Sequence, residues 1–188
     1  MIDLRRESLP DTIQVGKLFF KIKTDFREWL KFDEIIKNDK CTLADLLFLF
    51  EEELKPGTLI LHEKEIVQRL FDFYQNANIT PKDTEKSEEV IVDYIQDGEY
   101  IVGSFMAEYG IDLTSINGLH WHMFKALFIS LADTSKIKQI MSMRAYKKQD
   151  ISYEKQSLKL KEAWRLPQRT IKQNQELLDE IDSELYNA

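Results

Sequence analysis

Residues 118–131 carry apolar side chains on almost every side of a helix: Leu119, Trp121, Met123, Phe124, Leu127, Phe128, Ile129 and Leu131. A helix of that kind has no face suited to water and is the buried centre of a domain. The rest of the chain must then supply elements that wrap it. With 188 residues it has the length of one domain with room for an appendage, since domains run to ~100–200 residues. A domain of that size removes roughly 70% of its unfolded surface from water and needs no cross-link to fold. An aromatic content of 11% fits a packed core rather than a disordered chain.

The wrapping elements are legible in turn. Ile13, Val15, Phe20 and Ile22 alternate around Gly16-Lys17, which predicts a short β-hairpin over residues 12–23. Everything after it is predominantly helical. Asp25 and Glu28 have the spacing of an N-cap and its third helical residue, opening a helix with Phe26, Trp29, Leu30 and Ile36. Thr42 and Asp45 open a second, with Leu43, Leu46, Leu47 and Phe50 inward and Pro56-Gly57 as its stop. A third, over about 62–77, places Ile66, Val67, Leu70, Phe73 and Tyr74 on one stripe.

Asn78 to Glu89 holds Pro81, a run of charges and no apolar residue after Ile79, which reads as a flexible surface excursion. Glu89 to Asp93 fits a short strand or a helix start. A helix from about Gly98 to Tyr109 meets Gly110 where a left-handed cap is wanted. The central helix follows, and then one carrying Ile137, Ile140 and Met141.

From Lys147 onward apolar residues thin out. Past Pro167, Ile171, Asn174, Leu178, Ile181 and Leu185 recur at spacings of three and four, one narrow seam over about two heptads. The fold class expected is therefore mainly α: a multi-helix domain over residues 1–165 with an N-terminal β-hairpin, and a C-terminal amphipathic helix over 166–188. The seam either folds back on the domain or protrudes to pair with a partner or another copy. Two heptads alone are marginal in water, and Asn174 would trade stability for register. Ile171, Asn174, Leu178, Ile181 and Leu185 are thus the candidate protein-binding residues.

Charge argues against a nucleic-acid partner, since acids outnumber bases 33 to 26 and phosphate binding is driven by Lys and Arg. The most basic stretch, Lys155, Lys159, Lys161 and Arg165, interleaves with Glu154 and Glu162 and reads as a solvated helix face. Cys41 is alone, which excludes an internal disulfide and a multi-cysteine metal site and suits a reducing compartment. The N-terminus lacks a signal-peptide stretch, and the longest apolar run, Leu46 to Phe50, is far short of the ~20 residues a membrane span needs. A cytoplasmic location without membrane contact is expected.

Catalytic patterns do not assemble. His62-Glu63-Lys64-Glu65-Ile66 has isoleucine where a zinc protease needs its second histidine, and it reads as a helix N-terminus favouring acids. His120 and His122 stand two apart, which on a helix turns them roughly 200° from each other; His120 reads as a hydrogen-bonded core residue. Asp93, Asp97, Glu99, Asp112 and Asp133 have no converging spacing, and Asp97 and Asp112 fit cap and turn roles. There is no Gly-rich phosphate loop and no nucleophile elbow. A non-enzymatic protein without cofactor or metal is expected.

Four stretches carry a resemblance. They are Leu9-Pro10 through Ile13 and Val15; Thr24-Asp25-Phe26-Arg27-Glu28-Trp29-Leu30-Lys31-Phe32; Asp97-Gly98-Glu99-Tyr100-Ile101 through Tyr109-Gly110-Ile111-Asp112-Leu113; and Leu119-His120-Trp121 through Phe124-Lys125-Ala126-Leu127. Ile140, Met141 and Arg144 fit as well. Over about residues 8–165 the chain resembles the phage gene-product-fifteen family of long-tailed phages and prophages of Gram-positive bacteria. The resemblance implies a tail assembly chaperone that coats the tape measure protein and keeps it soluble in the host cytoplasm until tail tube subunits polymerise around it. The tail tube protein and further copies of the chain, as a homo-oligomer, are the other partners implied. A minor structural protein retained in the virion is the second reading, and a metal-dependent nuclease using His120 and Asp112 the third. No catalytic motif belongs to the family pattern, and the resemblance weakens after Trp164, leaving the seam outside it.

Overall fold

The computed structural model describes residues 7–37, 41–75, 91–145 and 154–166. The chain is mainly α with one two-stranded antiparallel hairpin. Its described residues form two compact units: one from 7–37, 41–75 and 117–129, the other from 91–116, 130–145 and 154–166. The predicted excursion at 78–89 and the C-terminal helix at 166–188 lie outside the described residues, Leu166 excepted.

In the first unit, β1 (Thr12–Val15) pairs with β2 (Leu18–Lys21), with Val15 opposite Leu18. Gly16 and Lys17 make the reversal, and Gly16 has a φ of 57°, which costs glycine nothing. Ile13 and Val15 are buried, and β1 packs on the third helix. The turn is tied there, because the Gly16 N–H donates to Glu65 Oε1 at 2.9 Å.

Helix α1 (Phe26–Ile36) starts where predicted, Asp25 accepting from the Arg27 N–H at 2.9 Å. Glu28 pairs with Lys31 at 3.0 Å, so only half of a capping box forms. Phe26, Trp29 and Phe32 face inward, and Trp29 Nε1–H donates to the Lys23 carbonyl at 2.9 Å. Thr42 and Asp45 do form their box, the Thr42 N–H donating to Asp45 Oδ2 at 2.9 Å.

The helix they open is shorter than expected: α2 spans Leu43–Leu46 and gives way to a 3-10 turn over Leu47–Leu49. The backbone there is claimed by a competing pairing. Phe50 bridges Ile22, and the Lys23 N–H donates to the Leu49 carbonyl at 2.7 Å. Pro56-Gly57 is likewise a start and not a stop, since Pro56 is the first residue of α3 (Pro56–Gln75). Proline lacks the N–H that a first helical turn leaves unpaired, so it is suited to that place. The predicted start at residue 62 is a kink inside this helix, where His62 has φ −127° and ψ 17°.

Helix α5 (Trp121–Ser130) also begins later than its apolar pattern suggests. Leu119 and His120 pair with the segment before α1. His120 bridges Asp25, the Phe26 N–H donates to the Leu119 carbonyl at 2.8 Å, and the Trp121 N–H to the Thr24 carbonyl at 2.7 Å. Trp121, Phe124 and Phe128 are buried, and the Phe124 ring stacks on Phe26 at 4.9 Å.

In the second unit, residues 91–93 form neither strand nor helix. Asp93 Oδ1 accepts from the Ile95 and Gln96 N–H groups, closing a turn that delivers the chain into α4 (Gly98–Tyr109). Gly110 ends α4 at φ 67°, with its N–H on Met106 and the Ile111 N–H on Phe105. This pair of bonds satisfies the last carbonyls of the helix. Helix α6 (Lys136–Arg144) packs on α4 and on α7 (Glu154–Ala163), with Ile101, Phe105, Ile137 and Ile140 buried. No helix among the described residues is long and apolar enough to cross a membrane.

Candidate functional site

The candidate binding residues Ile171, Asn174, Leu178, Ile181 and Leu185 lie outside the described residues. The other sequence candidates can be placed.

The last turn of α3 gathers polar side chains from two other helices. His122 Nε2–H donates to the Phe73 carbonyl at 2.9 Å, Trp121 Nε1–H to the Tyr74 carbonyl at 3.2 Å, and Lys125 Nζ approaches that same carbonyl at 3.4 Å. Tyr74 in turn donates its hydroxyl to Asp33, whose other oxygen takes Lys37 at 2.7 Å. A helix end leaves carbonyls without intrahelical donors, and α5 supplies them here, while α1 supplies the acceptor for the Tyr74 hydroxyl. Burial drives the His122 pKa from 6.5 down to about 4, so the ring is neutral. Burial also brings Lys125 down to about 8, its ammonium resting 5.2 Å from the Tyr74 ring centre and 5.3 Å from that of Trp121.

His120 and His122 are closer than a shared helix would allow, with ring centres 5.1 Å apart, because His120 precedes α5. Both His120 nitrogens and His122 Nε2 are turned to protein groups, while His122 Nδ1 is buried without a hydrogen-bond partner among the described residues. His120 Nε2–H donates to the Pro10 carbonyl at 2.9 Å, and its Nδ1 accepts the His122 N–H at 3.1 Å. His122, not His120, is the deeply buried one, and burial lowers the His120 pKa as well. His62 sits 3.6 Å from Glu65 beside the hairpin turn. Among the described residues no group of three His, Cys, Asp or Glu is placed to hold a metal ion. Cys41 is half-buried, and burial raises its thiol pKa above the ordinary value.

The carboxylates separate into distinct jobs. Asp112 is a turn residue as predicted, accepting from Thr114 and Ser115 hydroxyls and the Thr114 N–H; these bonds hold its carboxyl below the usual range. Asp97 is not a side-chain cap. It is 1% exposed and forms a two-pronged ion pair with Arg144, Nη2 to Oδ1 at 2.8 Å, while its Oδ2 also takes the Asp93 N–H at 2.9 Å. Arg144 further donates to the Trp164 carbonyl at 2.6 Å and the Ile91 carbonyl at 3.0 Å. One guanidinium thus fastens four segments of the second unit. Glu99 and Asp133 are exposed. Glu99 is on the wall of an open groove of 580 Å³ between α4 and α6, which Gly103, Ser104, Ala107, Ser135 and Lys136 also line.

The surface carries large apolar side chains in water. Leu61 is 78% exposed, Phe19 67% and Ile95 63%. The basic stretch of α7 is solvated as predicted at Lys159 and Arg165, with Glu162 3.9 Å from Arg165. Sequence reasoning missed Lys125, hidden in an apolar helix, and the partnership of Arg144 with Asp97. A lone buried-looking cation in an apolar stripe was the available signal for the first; the second had none.

A family model described as Bacteriophage Gp15 protein matches residues 6–166. No curated protein and no solved structure matches.

Proposed function

The chain belongs to the bacteriophage Gp15 protein family, and from that premise we propose that it is a tail assembly chaperone. On this reading it binds the tape measure protein without catalysis, in the host cytoplasm, and keeps it soluble while the tail is built. The tail tube protein and further copies of the chain are its other partners. The observation that supports the reading is the set of large apolar side chains held in water, Leu61, Phe19 and Ile95 above all. Each offers apolar area that a client could remove from water, and an amphipathic helix is one segment suited to do so. The net charge of −7 keeps a complex with an apolar client dispersed. The seam residues Ile171, Asn174, Leu178, Ile181 and Leu185 are proposed as further contacts.

The test is co-expression with the tape measure protein of the same phage, followed by pull-down and size exclusion. A soluble complex that depends on this chain is expected. A tape measure that stays insoluble and unbound refutes the proposal, as does stoichiometric recovery of the chain in purified virions by mass spectrometry.

A further inference from the structure

Residues 91–116 contain Asp93, Asp97, Glu99, Glu108 and Asp112 and no Lys, Arg or His. Asp93 and Asp97 are buried, and Arg144 compensates Asp97. Glu99 and Glu108 are exposed, one in the first turn of α4 and the other in its last. The open side of this helix is therefore acidic at both ends and has no base of its own.

Between those carboxylates the helix surface is small. Gly103 and Ala107, one turn apart, are exposed and line the 580 Å³ groove that α4 makes with α6, a size within the ~300–1,000 Å³ range of binding clefts. A Cβ added at Gly103 would meet nothing within 4 Å, so no other described group fills the space above it. Met106, 46% exposed, belongs to the same side of the helix. On the α6 wall the Ser135 hydroxyl is buried with no hydrogen-bond partner among the described residues. Lys136, also on that wall, has its ammonium 5.0 Å from the Trp164 ring centre.

A floor without long side chains lets another helix come close, to an axis separation of ~8 Å. We propose that the groove between α4 and α6 receives a helix of another protein, apolar along the line that meets Gly103, Met106 and Ala107, with Lys or Arg where it passes Glu99 and Glu108. The two glutamates are separated by about 13 Å along the axis of α4, so matching bases on the incoming helix stand about nine positions apart. The unpaired Ser135 hydroxyl offers that helix a polar contact on the wall. A second copy laying its own α4 there would oppose like charges, which selects a basic partner instead. That the helix is the client's rests on the chaperone reading, whereas the groove's choice of a basic helix does not.

The full-length chain tests it with a fluorescein-labelled synthetic peptide of about 20 residues, long enough to be helical alone. One face of the peptide is Leu and Ala, flanked by Lys; a twin carries Glu for every Lys. Fluorescence anisotropy should show binding of the Lys peptide only, weakening as salt is added. Gly103→Leu puts a side chain into the groove and should weaken binding on the order of tenfold. Its thermal midpoint should rise at the same time, glycine being the poorer helix former. Ala107→Leu, one turn on, makes the same block with little change in helix propensity, and Glu99→Lys should weaken binding and reduce its salt dependence. No binding of the Lys peptide, equal binding of the two peptides, or Gly103→Leu and Ala107→Leu variants that both bind as the unaltered chain does would overturn the proposal. Because no tape measure is present, failure here is separable from failure of the pull-down.

Discussion

Replacing Arg144 by Met tests the description of the second unit most directly. The substitution removes two hydrogen bonds to Asp97 and one each to the Ile91 and Trp164 carbonyls. It leaves the Asp97 carboxylate 1% exposed with its charge uncompensated. Breaking a buried pair in this way costs about 3–5 kcal/mol, a large share of the 5–15 kcal/mol by which domains are typically stable. Arg144→Lys keeps the charge but offers donors from one point only, so it cannot serve Asp97 and two carbonyls at once; a loss of about 2 kcal/mol is expected. Asp97→Leu combined with Arg144→Met should recover much of the single-mutant loss, because neither charge is then buried alone. Urea titration gives the total. Native-state hydrogen exchange assigns it, with amides of α4 and α6 expected to lose protection before those of α1 and α3. A loss under about 1 kcal/mol for Arg144→Met, or a double variant no more stable than the single one, would refute the reasoning.

Other outcomes follow from the same contacts. His122 is held neutral by burial, with its pKa lowered from 6.5 to about 4. The unfolded chain then binds more protons between those values, so the stability His122 contributes is complete above pH 6.5 and is lost as pH falls towards 4. The loss is about 3 kcal/mol at most, and His122→Gln should flatten urea midpoints across that window; an unchanged slope would be evidence against a buried neutral ring. Gly110 and Gly103 make opposite predictions, although an added Cβ meets nothing within 4 Å at either. Gly110→Ala forces alanine to φ 67° and should cost about 1–2 kcal/mol, while Gly103→Ala inside α4 should stabilise by about 0.5–1 kcal/mol; thermal melts read both.

What could be read from the sequence was encoded locally. The hairpin reversal at Gly16-Lys17 and the end of α4 at Gly110 each need one residue type at one backbone conformation, and both are where the pattern put them. The misreadings have long-range causes. Proline suits a helix start as well as a stop, so Pro56 could be assigned only once Phe50 was known to bridge Ile22. The apolar pattern ran through Leu119 and His120, but pairing with residues 24–26 takes both out of the helix. Asp97 and Arg144 are 47 positions apart, and nothing in the charge pattern singles out that pair among 33 acids and 26 bases. The candidate binding residues of the seam rest on periodicity alone.

The first unit is discontinuous along the chain, residues 91–116 of the second being interposed between α3 and α5. During synthesis, α1 and α3 therefore leave the ribosome well before the helix that completes them. At ~5–20 residues per second, the nascent protein spends seconds with the Phe73 and Tyr74 carbonyls lacking the donors of Trp121, His122 and Lys125, and with Phe26 lacking the ring of Phe124. A product terminated within residues 91–116 would hold this half-built core open and should aggregate, so neither unit can be cut out as a contiguous fragment. Rearranging the gene so that residues 117–129 follow residue 75 directly would close that interval.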